Sequence, residues 1–170
     1  MHDQSYEMME KFRETYMHSV RRVLDVGSQM VMGEHAIQSY RNLFPREVEY
    51  IGLDVEEGES VDVVVTPDCE KWPFEDESFD AVISGQCLEH TRKPWVLAAE
   101  MGRVVKPGGV VAIIVPWMWE EHLEDYWRFS HRGLAVLAEV AGITPEEKGH
   151  VAHTTQVGTQ VVVRTDSFLC

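Results

Sequence analysis

The sequence predicts an α/β fold with a doubly wound, mostly parallel sheet and helices on both of its faces. Short β-rich runs alternate with helical patterns along the 170 residues, the order expected of a parallel sheet with crossover helices. One run, "VVAIIVP", is apolar without alternation, as a strand covered on both faces is. With 44% hydrophobic residues a chain of this length can bury one sizeable core but hardly two, so residues 1–170 are expected to form a single domain.

Tyr6, Met9, Phe12 and Tyr16 recur at helical spacing in the first segment, and "RRVLDVG" follows as a strand ended by Gly27. From Gly33, "GEHAIQSYRNLF" puts Ile37, Tyr40 and Phe44 on one helical face until Pro45 stops it. "VEYIGLDV" and "VDVVVT" are two further strands separated by only "EEGES", shorter than the dozen or so residues that a crossover between parallel neighbours normally needs. Either the two form a hairpin or the crossover is stripped to a loop. "AVISG" is the next strand. In "TRKPWVLAAEMGRVVKPGG", Pro94 suits a first helical position, Trp95, Ala98, Ala99, Met101 and Val105 share a face that places Trp95 in the core, and Lys106 to Gly109 read as a stop. "VVAIIVP" follows, then a helix capped by Ser130 and ended by Gly142, and finally "TQVVVRTD".

Composition narrows the function classes. A formal net charge of -14 argues against a sequence-independent grip on nucleic acid or on an anionic membrane, since both depend on clustered Lys and Arg. Cys69, Cys87 and Cys170 form no CxxC pair, which points to a reducing, cytoplasmic setting rather than a disulfide framework or a zinc knuckle. His150 and His153, three apart in an extended stretch, would face opposite sides, so no metal site is assigned. No apolar stretch approaches the ~20 residues of a membrane span, and the protein is expected to be soluble.

In doubly wound sheets ligands bind outside the carboxyl ends of the strands. That rule selects Asp25 to Gln29 including Gly27 and Ser28, Asp54 and Val55, Thr66 to Cys69, Ser84 to Gln86, and the residues from Pro116 onward. Asp54 lies at the spacing after the glycine turn where a carboxylate accepts hydrogen bonds from ribose hydroxyls. The turn itself, "VLDVGSQMVMGE", begins like a nucleotide-binding loop but carries Gln29 and Val31 where further glycines would be expected.

Taken together, "VLDVGS", "YIGLDV", "WPFEDESFDAVIS", "LEH" and "EMGRVVKPGGVVAIIVP" resemble the class I S-adenosylmethionine-dependent methyltransferases over nearly the whole chain. "HLEDYWRFS" is similar to a segment of a small-sugar and phage-associated branch of these enzymes. The resemblance implies a Rossmann-like sheet of seven strands, a parallel pairing of the second and third strands with the intervening helix lost, and S-adenosyl-L-methionine as cofactor. Residue by residue, it implies that Asp25 and Gly27 match the cofactor turn and Asp54 the ribose-binding carboxylate. Asp68 and Cys69 would border adenine, and Ser84, Gly85 and Gln86 would lie beside the methionine moiety. The departures at Gln29 and Val31 put close backbone approach in doubt, but this cofactor carries no pyrophosphate and makes no demand for a phosphate cradle. A nicotinamide-dependent oxidoreductase would be expected to keep the Gly-x-Gly-x-x-Gly spacing that Gln29 breaks. A non-catalytic binding module of the same fold is the second alternative.

For the transfer itself, His90 and His122 are the candidate bases, because each follows a strand end and imidazole is the side chain whose ordinary range lies near neutrality. Trp117, Tyr126, Trp127 and Arg128 are candidate acceptor-binding residues, interleaved with charge after the fifth strand; the aromatics could equally be packing residues, and Arg128 could simply neutralise Asp125. The expected acceptor is a small polar molecule, such as a sugar or nucleotide-linked metabolite.

Overall fold

A computed structural model describes residues 3–30, 39–67, 69–117, 121, 124–143 and 159–164. Helix α1 (Asp3–Tyr16) precedes β1 (Arg22–Val26), β2 (Glu49–Asp54), β3 (Val63–Val64) and β4 (Phe79–Gly85). Helix α2 (Pro94–Val104), β5 (Val105–Val115), α3 (His131–Val140) and β6 (Thr159–Arg164) complete the described elements. The sheet order is β3-β2-β1-β4-β5-β6. β1 to β5 pair in parallel, and β6 runs antiparallel along β5. The described residues thus hold six strands where the family pattern implies seven.

The strands separate two cores by simple alternation. Leu24, Val82, Val111, Ile113 and Val115 face Ala98, Met101, Leu134 and Leu137 of α2 and α3. Val23, Ala81, Ile83, Val110, Ala112 and Ile114 face Met9 and Phe12 of α1, together with Tyr40 and Leu43. Because side chains alternate with period two, a central strand covered on both sides needs apolar residues at both parities, which is why the runs lack a continuous polar face.

β2 and β3 pair in parallel, Leu53 opposite Val63, with turns and bends but no helix in the described link 55–62. The pairing lies at the very end of β2, so the chain has little distance to return. Gly52 makes the flat path sterically possible, since the Ser60 carbonyl oxygen lies 2.0 Å from where a Cβ would stand. Asp62 locks it by accepting from the Gly52 N–H at 2.7 Å and pairing with Arg41.

Three local expectations need correction or restriction. Lys106 to Gly109 do not separate helix from strand; β5 already begins at Val105, and these residues form the irregularity between the pairs Phe79–Val105 and Ala81–Val110. Trp95 is 45% exposed rather than core, and its ring meets Trp127 edge-on at 6.2 Å. Of the helix expected from Gly33, the described part is a 3-10 turn, Tyr40–Leu43, capped by the Ser39 hydroxyl; residues 31–38, including Val31 and Gly33, lie outside the described residues.

Two polar clasps hold the amino-terminal ends of the strands. The Arg103 guanidinium from α2 donates to both carboxylate oxygens of Glu100, to Asp76 Oδ1 and to the Phe74 and Trp72 carbonyls. Asp80 Oδ2 accepts the N–H groups of Arg21 and Arg22 at 2.9 Å each, while Oδ1 takes Lys106 Nζ at 2.6 Å. The two distinctive sequence stretches "PFEDESFD" and "GRVVKPGG" are therefore partners in one scaffold, which reaches the cleft through Trp72.

Candidate functional site

Strand order reverses between β1 and β4, so the connections leaving their carboxyl ends run in opposite directions and leave a crevice there. A cleft of about 610 Å³ opens at this point. Its walls come from Gly27 and Gln29 after β1, Asp54 to Glu56 after β2, Val65 to Pro67 and Cys69 after β3, and Gln86, Cys87 and His90 to Arg92 after β4. Gly27 turns the chain with φ +80°, a conformation that L side chains resist, and a Cβ there would lie 2.5 Å from Cys87 Sγ. The turn is stitched to β2: the Gly27 and Ser28 N–H groups donate to the Leu53 carbonyl, and the Gln29 N–H donates to Asp54 Oδ2 at 2.8 Å. Asp54 Oδ1 accepts the Val55 N–H at 2.7 Å. A carboxylate offers about four acceptor sites, so two hydrogen bonds orient Asp54 and leave capacity for a ligand.

The Gln29 side chain reaches over the β2–β3 link, with Nε2 3.5 Å from Glu56 Oε2 and 3.4 Å from the Glu57 carbonyl. These are long, exposed contacts. Gln29→Gly is expected to keep or tighten the affinity for S-adenosylhomocysteine, measured by calorimetry; weaker binding by a folded variant would make the glutamine side chain itself a ligand contact.

Several expected cofactor residues lie beneath the cleft instead of on its wall. Asp25 is 2% exposed and faces the α1 side, where the Tyr50 hydroxyl donates to its Oδ2. Ser84 is fully buried and donates to the Val26 carbonyl at 2.8 Å, tying β4 to β1. Ser28 and Gly85 are buried as well. Gln86 takes φ +57°, donates its N–H to the Ile114 carbonyl and lines the cleft. Cys69 also lines it, with Sγ donating to the Lys71 carbonyl at 3.2 Å, and so does Val55, which is exposed. Asp68 and His122 lie outside the described residues.

Two buried carboxyls surround this floor. Burial pushes Asp25 up to about 7, against the lowering effect of the Tyr50 hydrogen bond. Burial likewise pushes Glu89 up to about 7. Their ordinary values are 3.8 and 4.5. The folded chain therefore binds more protons than the unfolded chain between about pH 4 and 7, and stability from these groups falls as pH rises through that interval. The urea midpoint is expected to be lower at pH 7.5 than at pH 5.5, and Asp25→Asn should flatten the slope. An equal slope in wild type and variant would refute this account of Asp25.

On the opposite wall, His90 Nδ1 lies 3.1 Å from the Glu124 carbonyl, and Tyr126 donates its N–H to the Glu89 carbonyl at 2.7 Å. Tyr126 lines the cleft, with Arg92 4.9 Å over its ring. Trp127 donates Nε1–H to the Thr91 carbonyl and meets Trp95 edge-on, both rings exposed. Arg128 pairs with Asp125 at 2.9 Å. Trp117 packs edge-on against His131 at 4.9 Å, away from the cleft wall. Sequence reasoning missed Trp72, Arg92 and Leu97 as wall residues, because nothing in the linear pattern brings α2 and the link after β3 to one cleft. It also gave no role to Glu89, although the apolar setting of the carboxylate in "CLEH" was a usable signal.

A doubly wound sheet with its ligand cleft at the switch point, floored by a glycine turn and an oriented carboxylate, defines a Rossmann-like α/β protein with a candidate cofactor site. Residues 24–113 match the family model described as a methyltransferase domain, and the chain belongs to that family, within the class I S-adenosylmethionine-dependent methyltransferases. An uncharacterized methyltransferase of Mycobacterium avium is 36% identical over 76 residues, which is 39% of this chain and 30% of that protein. The chain thus covers less than a third of that relative. The fold is similar to a SAM-dependent methyltransferase from Aquifex aeolicus, with TM-score 0.65, 18% identity and coverage of 95% of this chain and 89% of that one. It is also similar to Burkholderia thailandensis 1,6-didemethyltoxoflavin-N1-methyltransferase, solved with 1,6-didemethyltoxoflavin and S-adenosylhomocysteine, with TM-score 0.69, 16% identity and coverage of 96% and 79%.

Proposed function

We propose that this domain transfers a methyl group from S-adenosyl-L-methionine to a small polar acceptor, a sugar or nucleotide-linked metabolite, in the cytoplasm. The observation that carries the reading is the cleft at the β1/β4 switch point with Asp54 oriented at its edge by two backbone N–H groups. The volume suits a small-molecule ligand. The residues fit the cofactor: Asp54 has acceptor capacity for ribose hydroxyls, Val26, Leu53, Val65, Trp72 and Leu97 supply apolar wall for a base, and Gln86 offers an amide for the amino-acid end. Asp68 is proposed beside the base with Cys69. Asp25, Ser28, Ser84 and Gly85 then act from below, by shaping the turn and spacing the strands.

The cofactor supplies an electrophilic methyl on a sulfonium. The chain's task is mainly to hold the acceptor in line with it, since positioning can supply ~7–11 kcal/mol of a barrier, more than the 10²- to 10⁴-fold typical of a placed base. His90 is the proposed proton acceptor, with His122 as its alternative. Tyr126 and Trp127, joined by Trp95, provide aromatic faces for stacking on a sugar or base ring. Trp117 and Arg128 are proposed as the outer support of that acceptor wall, Arg128 through its pair with Asp125. A long nucleic acid is disfavoured by the net charge of -14.

Incubation with radiolabelled S-adenosylmethionine and fractionated pools of small metabolites, DNA and RNA tests this reading. Label in small polar molecules is expected. Salt-sensitive labelling of nucleic acid, with no small molecule modified, would refute it, and tight cofactor binding without any transfer would favour a binding module.

A further inference from the structure

Glu89 sits in the 3-10 turn Leu88–His90 directly after β4 at the switch point. Its side chain is 0% exposed, and no other described residue donates a hydrogen bond to either carboxylate oxygen. An ionisable group is costly in such a place unless a charge or proton meets it there. His90, the next residue, lines the cleft and holds Nε2 4.0 Å from Glu89 Oε1. Its Nδ1 lies 3.1 Å from the Glu124 carbonyl. A carbonyl can only accept, so Nδ1 carries the hydrogen and Nε2 is the basic nitrogen of the neutral ring.

We propose that Glu89 is a positioning residue for proton removal: its carboxylate stabilises the imidazolium formed when His90 Nε2 takes a proton from the acceptor. This rests on the reading of His90 as the proton acceptor. The acceptor's nitrogen or hydroxyl oxygen forms its bond to the methyl carbon as the carbon–sulfur bond breaks; the sulfur keeps that electron pair, and the N–H or O–H proton passes to Nε2. The acceptor class is accordingly an amine, amide-type nitrogen or hydroxyl that must lose a proton. Burial most strongly opposes ionisation of the Glu89 carboxyl; its own backbone N–H favours it, and of the neighbouring charges Asp125 opposes it while Arg128 favours it. The Glu89 charge in turn holds the Tyr40 hydroxyl and the Cys87 thiol further in their protonated forms, adding to the effect of their burial.

The test is the imidazole titration of His90, followed by nitrogen NMR in the complex with S-adenosylhomocysteine. Glu89→Gln is expected to lower the His90 midpoint, the direction that follows from removing an opposite charge at this range, whereas Glu89→Asp should stay near wild type. Affinity for S-adenosylhomocysteine should change by less than about twofold in both, showing an intact cleft, while transfer to the labelled metabolite pool falls about tenfold or more in Glu89→Gln. An unchanged His90 midpoint in folded Glu89→Gln overturns the role of Glu89. Should that variant fail to fold, the Glu89 carboxyl carbon resonance decides by comparison of wild type with His90→Gln: its midpoint must rise when the imidazole is removed, and an unchanged midpoint overturns the proposal. Undiminished transfer by His90→Gln would overturn the base reading itself, a distinct result.

Discussion

Arg103→Met is expected to lower the stability of the fold by about 3–5 kcal/mol, the usual effect of removing one partner of a buried ion pair. The arginine side chain is 19% exposed and that of Glu100 only 7%. Burial alone would raise the Glu100 carboxyl, but the Arg103 hydrogen bonds prevail and hold it below its ordinary value. Methionine keeps the aliphatic stem while removing every donor. Glu100 would then retain the Trp72 N–H, at 2.7 Å, while the Phe74 and Trp72 carbonyls would lose the guanidinium. Urea denaturation at pH 7 measures the change. A loss under about 1 kcal/mol would place this clasp with ordinary surface pairs, whose worth is of that size. Pairing Arg103→Met with Glu100→Leu should recover much of the loss, because the stranded charge goes with its partner. The clasp also holds the Trp72 backbone, and Trp72 lines the cleft, so S-adenosylhomocysteine affinity in the folded fraction is expected to weaken modestly.

Asp54→Ala is expected to weaken S-adenosylhomocysteine binding by ~1–3 kcal/mol, since a charged acceptor of ribose hydrogen bonds is lost. The side chain also orients the Gln29 and Val55 N–H groups, so the turn after β1 loses an anchor at the same time. Calorimetry on the variant measures the effect. Unchanged affinity with the fold intact would sink the ribose assignment. Asp54→Asn separates the two contributions, because the amide oxygen can keep one backbone hydrogen bond while the charge is gone.

Both predictions concern residues inside the motifs by which the family resemblance is read, yet the structure gives the motifs different work. The stretch around Asp76 and the stretch around Arg103 are distinctive because they must fit each other, and their contribution is to the scaffold. The chemistry-bearing positions are quieter in sequence. Asp25 reads as the acidic partner of the cofactor turn, but it lies two residues after Val23 on the same strand and so points to the α1 core, where Tyr50 meets it. Glu89 reads as a charged residue in a short turn, yet in the fold its side chain is fully buried and its carbonyl is bound by the Tyr126 N–H.

Patterns with a short range were legible in the chain alone. The period-two and period-3.6 hydrophobic runs, the Ser130 cap and the glycine after β1 each reflect local sterics and hydrogen bonding, and they specify the α/β class and the strand ends at which a ligand must sit. Register, burial and pairing between distant segments were not legible. The parallel link of β2 to β3 depends on Ser60 passing over Gly52, the exposure of Trp95 on where Trp127 lies, and the proton affinity of Glu89 on what packs over it. These are energies of contacts between residues far apart in sequence, and they exist only once the chain has brought those residues together.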